Sequence, residues 1–135
     1  MPQAAEFIQK LRAAGVTATT LSWDGAYPPE YLAEVGQAGV GTIMACTCVL
    51  PAEDFVAEYT AAFGPDPGLY AMEGFELATI MLTGIASGAA TDRPTMVQHF
   101  RDYDGWGVGR RYQWTGTGEL TTPATFLYEV VPTAG

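Results

Sequence analysis

The chain has 135 residues, 48% of them hydrophobic, which is enough for one domain with a real core and too little for two ordinary domains. Six basic residues against fifteen acidic ones give a net charge of −9, which repels phosphate backbones and anionic membrane surfaces. We therefore expect no nucleic-acid partner. No apolar run approaches the roughly 20 residues of a membrane span, and the first residues lack the basic start and apolar centre of a signal peptide.

The front of the chain alternates between helical and strand-like segments. Phe7, Ile8 and Leu11 recur at helical spacing ahead of Gly15, a usual helix stop. A β-branched run and a nearly all-apolar run, each of strand length, follow in turn, and such runs are typical of a parallel sheet covered by helices. We predict helices over 3–14 and 30–35 and strands over 16–23 and 40–49.

The middle of the chain, after Pro51, reads as three helices in succession. Phe55, Tyr59 and Phe63 share one helical stripe in the first of them. The second is apolar over more than one face, so we expect it to be mostly buried. The third opens with Asp92 as an N-cap, with Pro94 close behind. We predict helices over 52–63, 69–86 and 92–103.

The last third changes character and predicts strands. Two strand-like runs, 108–114 and 123–131, are joined by a Gly-containing connection, which indicates a β-hairpin. Together with the alternation at the front, this predicts an α/β fold in a single domain. The expected architecture is a three-layer α/β/α lobe with a mostly parallel sheet and a C-terminal β-hairpin.

The two cysteines, Cys46 and Cys48, lie two positions apart in a predicted strand and therefore share a face. A disulfide between them would close a very small ring, and a metal site would need ligands that the sequence does not place nearby. We expect two small buried or half-buried thiols, although their oxidation state stays open. We expect no bound metal and no cofactor.

Three further features resemble enzyme motifs but lack the surrounding residues or secondary structure that those motifs require. The glycines of "GWGVG" (105–109) precede a strand, whereas a phosphate loop needs a following helix. Glu73 and Glu76 lie three apart on one predicted helix, as an acid/base pair can, but a structural role is favoured. His99 stands among polar residues on an expected solvent face. No nucleophile has a base at motif spacing, so the sequence does not indicate an enzyme.

Four blocks of the sequence, in order, carry a resemblance to a known family. They are "AAEFIQKLRAAGV", "LSWDGAYPPEYLAEVGQAGVGTIMA", "FVAEYTAAFGPDPGLYAMEGFELATIMLTGI" and "YDGWGVGRRYQWTGTGELTTPATFLYEVV". The chain resembles the substrate-binding proteins of branched-chain amino acid ABC transporters, within the type I periplasmic binding proteins. The resemblance implies that the chain is mainly the second, C-terminal lobe of a two-lobe clamshell, truncated from a longer parent.

The resemblance also implies a ligand site. The acid at the end of the first strand, matched by Asp24, takes the α-amino group of the ligand in this family, and Asp stands here where relatives often have Glu. Tyr70 matches an aromatic residue that flanks the ligand side chain. Trp23 and Tyr27 lie on either side of Asp24 and would wall the pocket or stack on a ligand, unless they only pack against the protein.

The resemblance implies a solute-binding component of an ABC importer. It would capture an amino acid or similar small carboxylate by cleft closure and deliver it to membrane permease subunits. The parent would be extracytoplasmic, and the isolated lobe would bind weakly and tend to self-associate. One alternative is a ligand-sensing domain of a receptor or regulator with the same clamshell fold, and another is a small α/β enzyme domain.

Overall fold

The computed structural model of the chain describes residues 2–26 and 29–132. They form two compact units: unit 1 comprises residues up to Cys48 and from Thr125 onward, and unit 2 comprises Val49–Ala124. The chain therefore passes from one unit to the other twice, after Cys48 and after Ala124. No described helix is long and apolar enough to cross a membrane.

Unit 1 contains helices α1 and α2 and three of the strands. The bounds are α1 Pro2–Ala13, β1 Leu21–Trp23, α2 Pro29–Val35, β2 Ile43–Cys46 and β5 Phe126–Glu129, with short 3₁₀ helices at Asp24–Ala26 and Gly36–Gly39. α1 ends before Gly15, whose φ of 79° suits a glycine. The Arg12 guanidinium then donates to the carbonyls of Val16 and Ala18, which fixes the path from α1 towards β1.

The sheet of unit 1 has the order β1-β2-β5. β1 and β2 are parallel, with Trp23 opposite Ala45, and β5 is antiparallel to β2, with Phe126 opposite Cys46. The sheet is therefore mixed, with one parallel and one antiparallel pair, whereas the sequence predicts a mostly parallel one.

One face of this sheet carries the core of unit 1. Met44 packs there with Ala5 and Ile8 of α1 and with Tyr31 and Val35 of α2. On the opposite face Leu21, Trp23 and Leu127 are each more than 60% exposed. Within unit 1, α1 and α2 thus cover the Met44 face, whereas Leu21, Trp23 and Leu127 of the other face are open to solvent.

Unit 2 contains three helices and a two-stranded antiparallel sheet. The bounds are α3 Glu53–Phe63, α4 Ala71–Ala86, α5 Arg93–Asp102, β3 Asp104–Trp106 and β4 Arg111–Gln113. The predicted cap of α5 is confirmed, because Asp92 accepts from the Thr95 backbone N–H at 2.9 Å and the Thr95 hydroxyl accepts from the Asp92 N–H at 3.0 Å. All five helices that the sequence predicts are present.

The expectation that α4 is mostly buried is wrong. Its buried positions, Met72, Glu76, Ile80 and Gly84, recur at intervals of four and form a single stripe. Five other large apolar side chains of α4 lie off this stripe and are exposed, namely Phe75, Leu77, Met81, Leu82 and Ile85. A count of apolar residues does not identify the stripe because two of its four members are a glutamate and a glycine.

His99 occupies a different environment from the solvent face predicted for it. Its Nε2–H donates to the Ile80 carbonyl at 3.0 Å, and its ring leaves no room for a Cβ at Gly84. The imidazole is half-buried and joins α5 to α4. This contact explains why a glycine stands in the buried stripe of α4.

The predicted pairing of the last two strand-like runs is also wrong. β4 pairs with β3, which the sequence analysis did not predict, and β5 pairs with β2 in unit 1. The connecting residues form only a tight turn, in which Trp114 and Leu120 make an isolated bridge and Gly118 has a φ of 89°. The C-terminal hairpin is thus β3–β4, and β5 leaves it to complete the other sheet.

Candidate functional site

The carboxyl ends of β1 and β2 meet at one edge of the unit 1 sheet because these strands are parallel. β5 runs the opposite way, so its first residue, Phe126, lies beside Cys46 at the same edge. The 3₁₀ helix that begins at Asp24 contacts β2 there. Ligands of open α/β sheets bind at this kind of edge, beyond the carboxyl ends of the strands.

Asp24 is the first residue after β1 and begins the 3₁₀ helix Asp24–Ala26. Its side chain is half-buried, and one carboxylate oxygen accepts from the Gly25 N–H at 3.0 Å. This local bond orients the carboxylate at the strand end. The placement that the sequence predicts for Asp24, at the junction of strand and turn, is what the structure has.

Trp23 is the last residue of β1, and its side chain is 64% exposed. It lies on the open face of the sheet, so it does not belong to the core of unit 1. Tyr27, the other aromatic residue predicted beside Asp24, lies outside the described residues. The structure thus brings Trp23 and Asp24 together at the strand end.

Cys46 and Cys48 form a disulfide at the same edge, where the sequence analysis expected two free thiols. Their Cα atoms are 5.1 Å apart, and both residues are almost fully buried. Thr47 between them is exposed. Among the described residues, no group of His, Cys, Asp and Glu could hold a metal ion.

Tyr70 lies in unit 2, immediately before α4. Its φ of 65° and ψ of 8° place it in the left-handed region, and it is the one described non-glycine residue with a positive φ. A bulky side chain rarely adopts this conformation, and such strain concentrates at binding sites. The side chain is 39% exposed and is therefore accessible at the start of the helix.

Glu76 is the most deeply buried charged residue that the structure describes, and its contacts are structural. Its carboxylate accepts from the Gly109 N–H at 2.6 Å and from the Tyr112 hydroxyl by a short hydrogen bond. Gly107 must be a glycine, because a Cβ there would overlap the Glu76 carboxylate. The glycines of "GWGVG" therefore let the β3–β4 loop pack onto α4, and the structural role favoured for Glu76 agrees with this contact.

Glu73 does not act on the same group as Glu76. One of its carboxylate oxygens accepts from the Val49 N–H at 2.7 Å, which attaches the first residue of unit 2 to α4.

The phenol of Tyr112 is buried in unit 2. Burial raises the pKa of Tyr112, and the hydrogen bond to Glu76 raises it further. The arrangement holds a phenol in its neutral form and supports the fold.

Comparison with known proteins gives structural neighbours but no match by sequence. No protein-family model matches the chain, and no curated protein sequence matches it. A Rhodospirillum rubrum structure, provisionally assigned as a branched-chain amino acid ABC transporter, superimposes with a TM-score of 0.73, at 25% identity over 95% of this chain. A type 1 periplasmic binding protein from Bordetella pertussis has a TM-score of 0.74 at 20% identity over 98%. A leucine-binding protein from Thermotoga maritima has a TM-score of 0.73 at 20% identity over 98%.

These neighbours are much longer than the chain. It covers 39%, 41% and 42% of their respective lengths. The similarity nevertheless extends over almost all of the chain, and the structure has the mixed sheet with helices that a lobe of these proteins has. The α/β fold class predicted from the sequence is confirmed.

Proposed function

We propose, on the premise that the chain has the lobe fold of the type I periplasmic binding proteins, that it belongs to the solute-binding component of an ABC importer. The solute would be an amino acid or a related small carboxylate. The names of two neighbours, a branched-chain amino acid transporter protein and a leucine-binding protein, support this class of ligand. The observation that carries the proposal is the position of Asp24 at the carboxyl edge of the sheet.

In this proposal Asp24 binds the ammonium group of the solute. An ammonium ion that leaves water needs an anionic partner, because an unpaired charge in a closed cleft is very costly. A charge-assisted hydrogen bond to a carboxylate supplies that partner. The bond from the Gly25 N–H occupies one oxygen of Asp24, which helps to hold the carboxylate in one orientation.

Aromatic side chains close to Asp24 in the sequence would form part of its binding site. Trp23 is next to Asp24 and exposed, and Tyr27 follows three residues later in the sequence. The strained backbone and exposed ring of Tyr70 support a binding role for this residue as well. Aromatic rings offer a large apolar surface to an aliphatic side chain at little cost in conformational entropy.

The chain would act as part of a larger protein. Capture would occur by closure of two lobes on the solute, of which this chain is mainly the second, and the closed form would deliver the solute to permease subunits. The parent protein would work outside the cytoplasm and without catalysis. Contacts made only in the closed state would shift the population towards it.

The test combines a variant of Asp24 with a ligand that lacks the amine. The protein that contains this chain is screened by thermal shift against amino acids, and leucine is compared with 4-methylpentanoate, which differs from it only in lacking the ammonium group. A ligand at 100 times its Kd stabilises by about 2.7 kcal/mol. We expect Asp24→Asn to abolish most of the stabilisation by the amino acid and to have little effect on the amine-free analogue.

Asp66→Asn is the matched control, because Asp66 is an exposed aspartate in a loop of unit 2. It should bind amino acids as the unaltered protein does. If Asp24→Asn retains full stabilisation by the best ligand, or if it weakens the ligand and the amine-free analogue equally, Asp24 is not the amine partner. If no amino acid or small carboxylate stabilises the protein, the proposed solute class is wrong.

A further inference from the structure

Unit 2 contains an aromatic pocket between α3 and α4 that shares no residue with the site proposed above. Its volume is about 400 Å³, within the range of small-molecule sites. Phe55, Tyr59 and Phe63 line it at intervals of four on α3, and Phe75 of α4 faces them. The ring centroid of Phe55 lies 5.9 Å from that of Tyr59 and 5.7 Å from that of Phe75. The ring centroids of Tyr59 and Phe63 are 4.8 Å apart.

Two exposed acidic residues also line this pocket. Asp54 and Glu58 line the same pocket, one turn apart on α3. Asp54 accepts from the Phe55 N–H at 2.8 Å, and neither residue is in an ion pair within the described part of the chain. α3 carries no lysine or arginine, and no basic residue lines the pocket. The pocket therefore combines aromatic side chains with two carboxylates that form no ion pair among the described residues.

We propose that this pocket binds a small organic cation of the quaternary or substituted ammonium class. The face of an aromatic ring attracts a cation within about 6 Å of its centroid, and a surrounding set of rings is the usual receptor for quaternary ammonium groups. Asp54 and Glu58 are exposed at the pocket, and their negative charge favours a cation over a neutral ligand of the same shape. The pocket is partly enclosed, so its shape fits a small molecule better than it fits the flat surface of a protein partner.

The experiment titrates the 135-residue chain with choline and with 3,3-dimethylbutan-1-ol, in which carbon replaces the charged nitrogen. Isothermal calorimetry gives the affinities, and NMR shifts of the α3 amides give the location. We expect choline to bind at least about three-fold more tightly than the neutral isostere. Glu58→Gln and Tyr59→Leu should each weaken choline by a similar or larger factor.

Glu53→Gln is the matched control, because Glu53 is on the same helix but does not line the pocket. It should leave choline binding unchanged. Glu58 is exposed, so Glu58→Gln tests the charge even if Tyr59→Leu disturbs folding. The proposal is overturned if choline does not bind, if both compounds bind equally, or if Glu53→Gln weakens choline as much as Glu58→Gln. These outcomes leave the site at Asp24 untouched.

Discussion

Tyr112 and Glu76 form a buried hydrogen bond in unit 2, and a single substitution can remove its donor. Tyr112 is 3% exposed and Glu76 4%, and the tyrosine hydroxyl donates to the Glu76 carboxylate. Tyr112→Phe would leave a buried carboxylate oxygen without this donor, which costs about 1–3 kcal/mol. We expect a loss of that size in the free energy of unfolding, measured by urea denaturation.

Tyr103→Phe is the matched control for this substitution in the same unit. Its hydroxyl makes no hydrogen bond among the described residues, so the change should stay within about 0.5 kcal/mol. A loss at Tyr112→Phe no larger than that of the control would show that the buried bond does not stabilise the fold.

The raised pKa of Tyr112 also predicts how stability depends on alkaline pH. The folded state keeps the proton that the unfolded chain releases near its ordinary pKa of about 10, so stability is full below that pH and is lost as pH rises above it. Between about pH 8 and about pH 11 the unaltered protein should lose more stability than Tyr112→Phe does. Identical alkaline profiles would contradict this assignment.

Residues whose role depends on neighbours in the chain were predictable, and those whose partners are distant were not. Asp24 follows an apolar run directly, so its place at a strand end could be inferred. The partner of Glu76 is Tyr112, 36 residues away, and the partner of His99 is a backbone carbonyl of another helix. Such contacts depend on tertiary packing, which residue spacing does not report.

At the scale of elements, the cap of α5 predicts an acid-dependent stability. The bonds from Thr95, first its backbone N–H and then its hydroxyl, lower the pKa of Asp92. The cap therefore stabilises above the ordinary carboxyl pKa, and this contribution is lost as pH falls through the lower pKa of the folded state. Asp92→Ala should lower the thermal midpoint at neutral pH, and the difference should shrink at strongly acidic pH.

Asp92→Asn provides the comparison, because asparagine caps helices about as well as aspartate and does not titrate. Its midpoint should stay near that of the unaltered protein at neutral pH. A gap between Asp92→Ala and the unaltered protein that is constant with pH would mean that the carboxylate charge contributes nothing to the cap.

The helices could be predicted better than the strand partners. The signals for three helices lie within or next to the helices themselves: Gly15 ends α1, aromatic residues at helical spacing mark α3, and Asp92 caps α5. Local sequence is therefore sufficient to predict them. β4 and β5 have the composition of strands, but the choice between pairing with each other and pairing with β3 and β2 is decided by contacts elsewhere. The expectation of a single domain was drawn from length, and it stays a prediction beside the two compact units.

At the scale of the whole molecule, the exposed face of the unit 1 sheet predicts self-association. Leu21 and Trp23 on β1 and Leu127 on β5 are exposed apolar side chains of the two outer strands, and such surfaces are usually covered by a partner. We expect the isolated chain to associate with increasing concentration in sedimentation velocity. Leu127→Lys should reduce the association by placing a charge on this face.

Leu82→Lys is the control, because Leu82 of α4 is about equally exposed, at 62% against 68% for Leu127. It should leave association through the sheet unchanged. A monomer at all concentrations, or an equal effect of the two substitutions, would show that the open face of the sheet does not mediate contacts between copies.

The two crossings of the chain make unit 2 a continuous insertion within unit 1. Both crossings lie next to strands that pair with each other. The chain leaves unit 1 shortly after β2 and returns shortly before β5, and Cys46 at the end of β2 lies opposite Phe126 at the start of β5. The boundary therefore has the layout of a hairpin whose loop has been replaced by a whole unit. A deletion of unit 2 would therefore need only a short turn to rejoin β2 to β5, and every residue that lines the aromatic pocket would leave with the deleted segment.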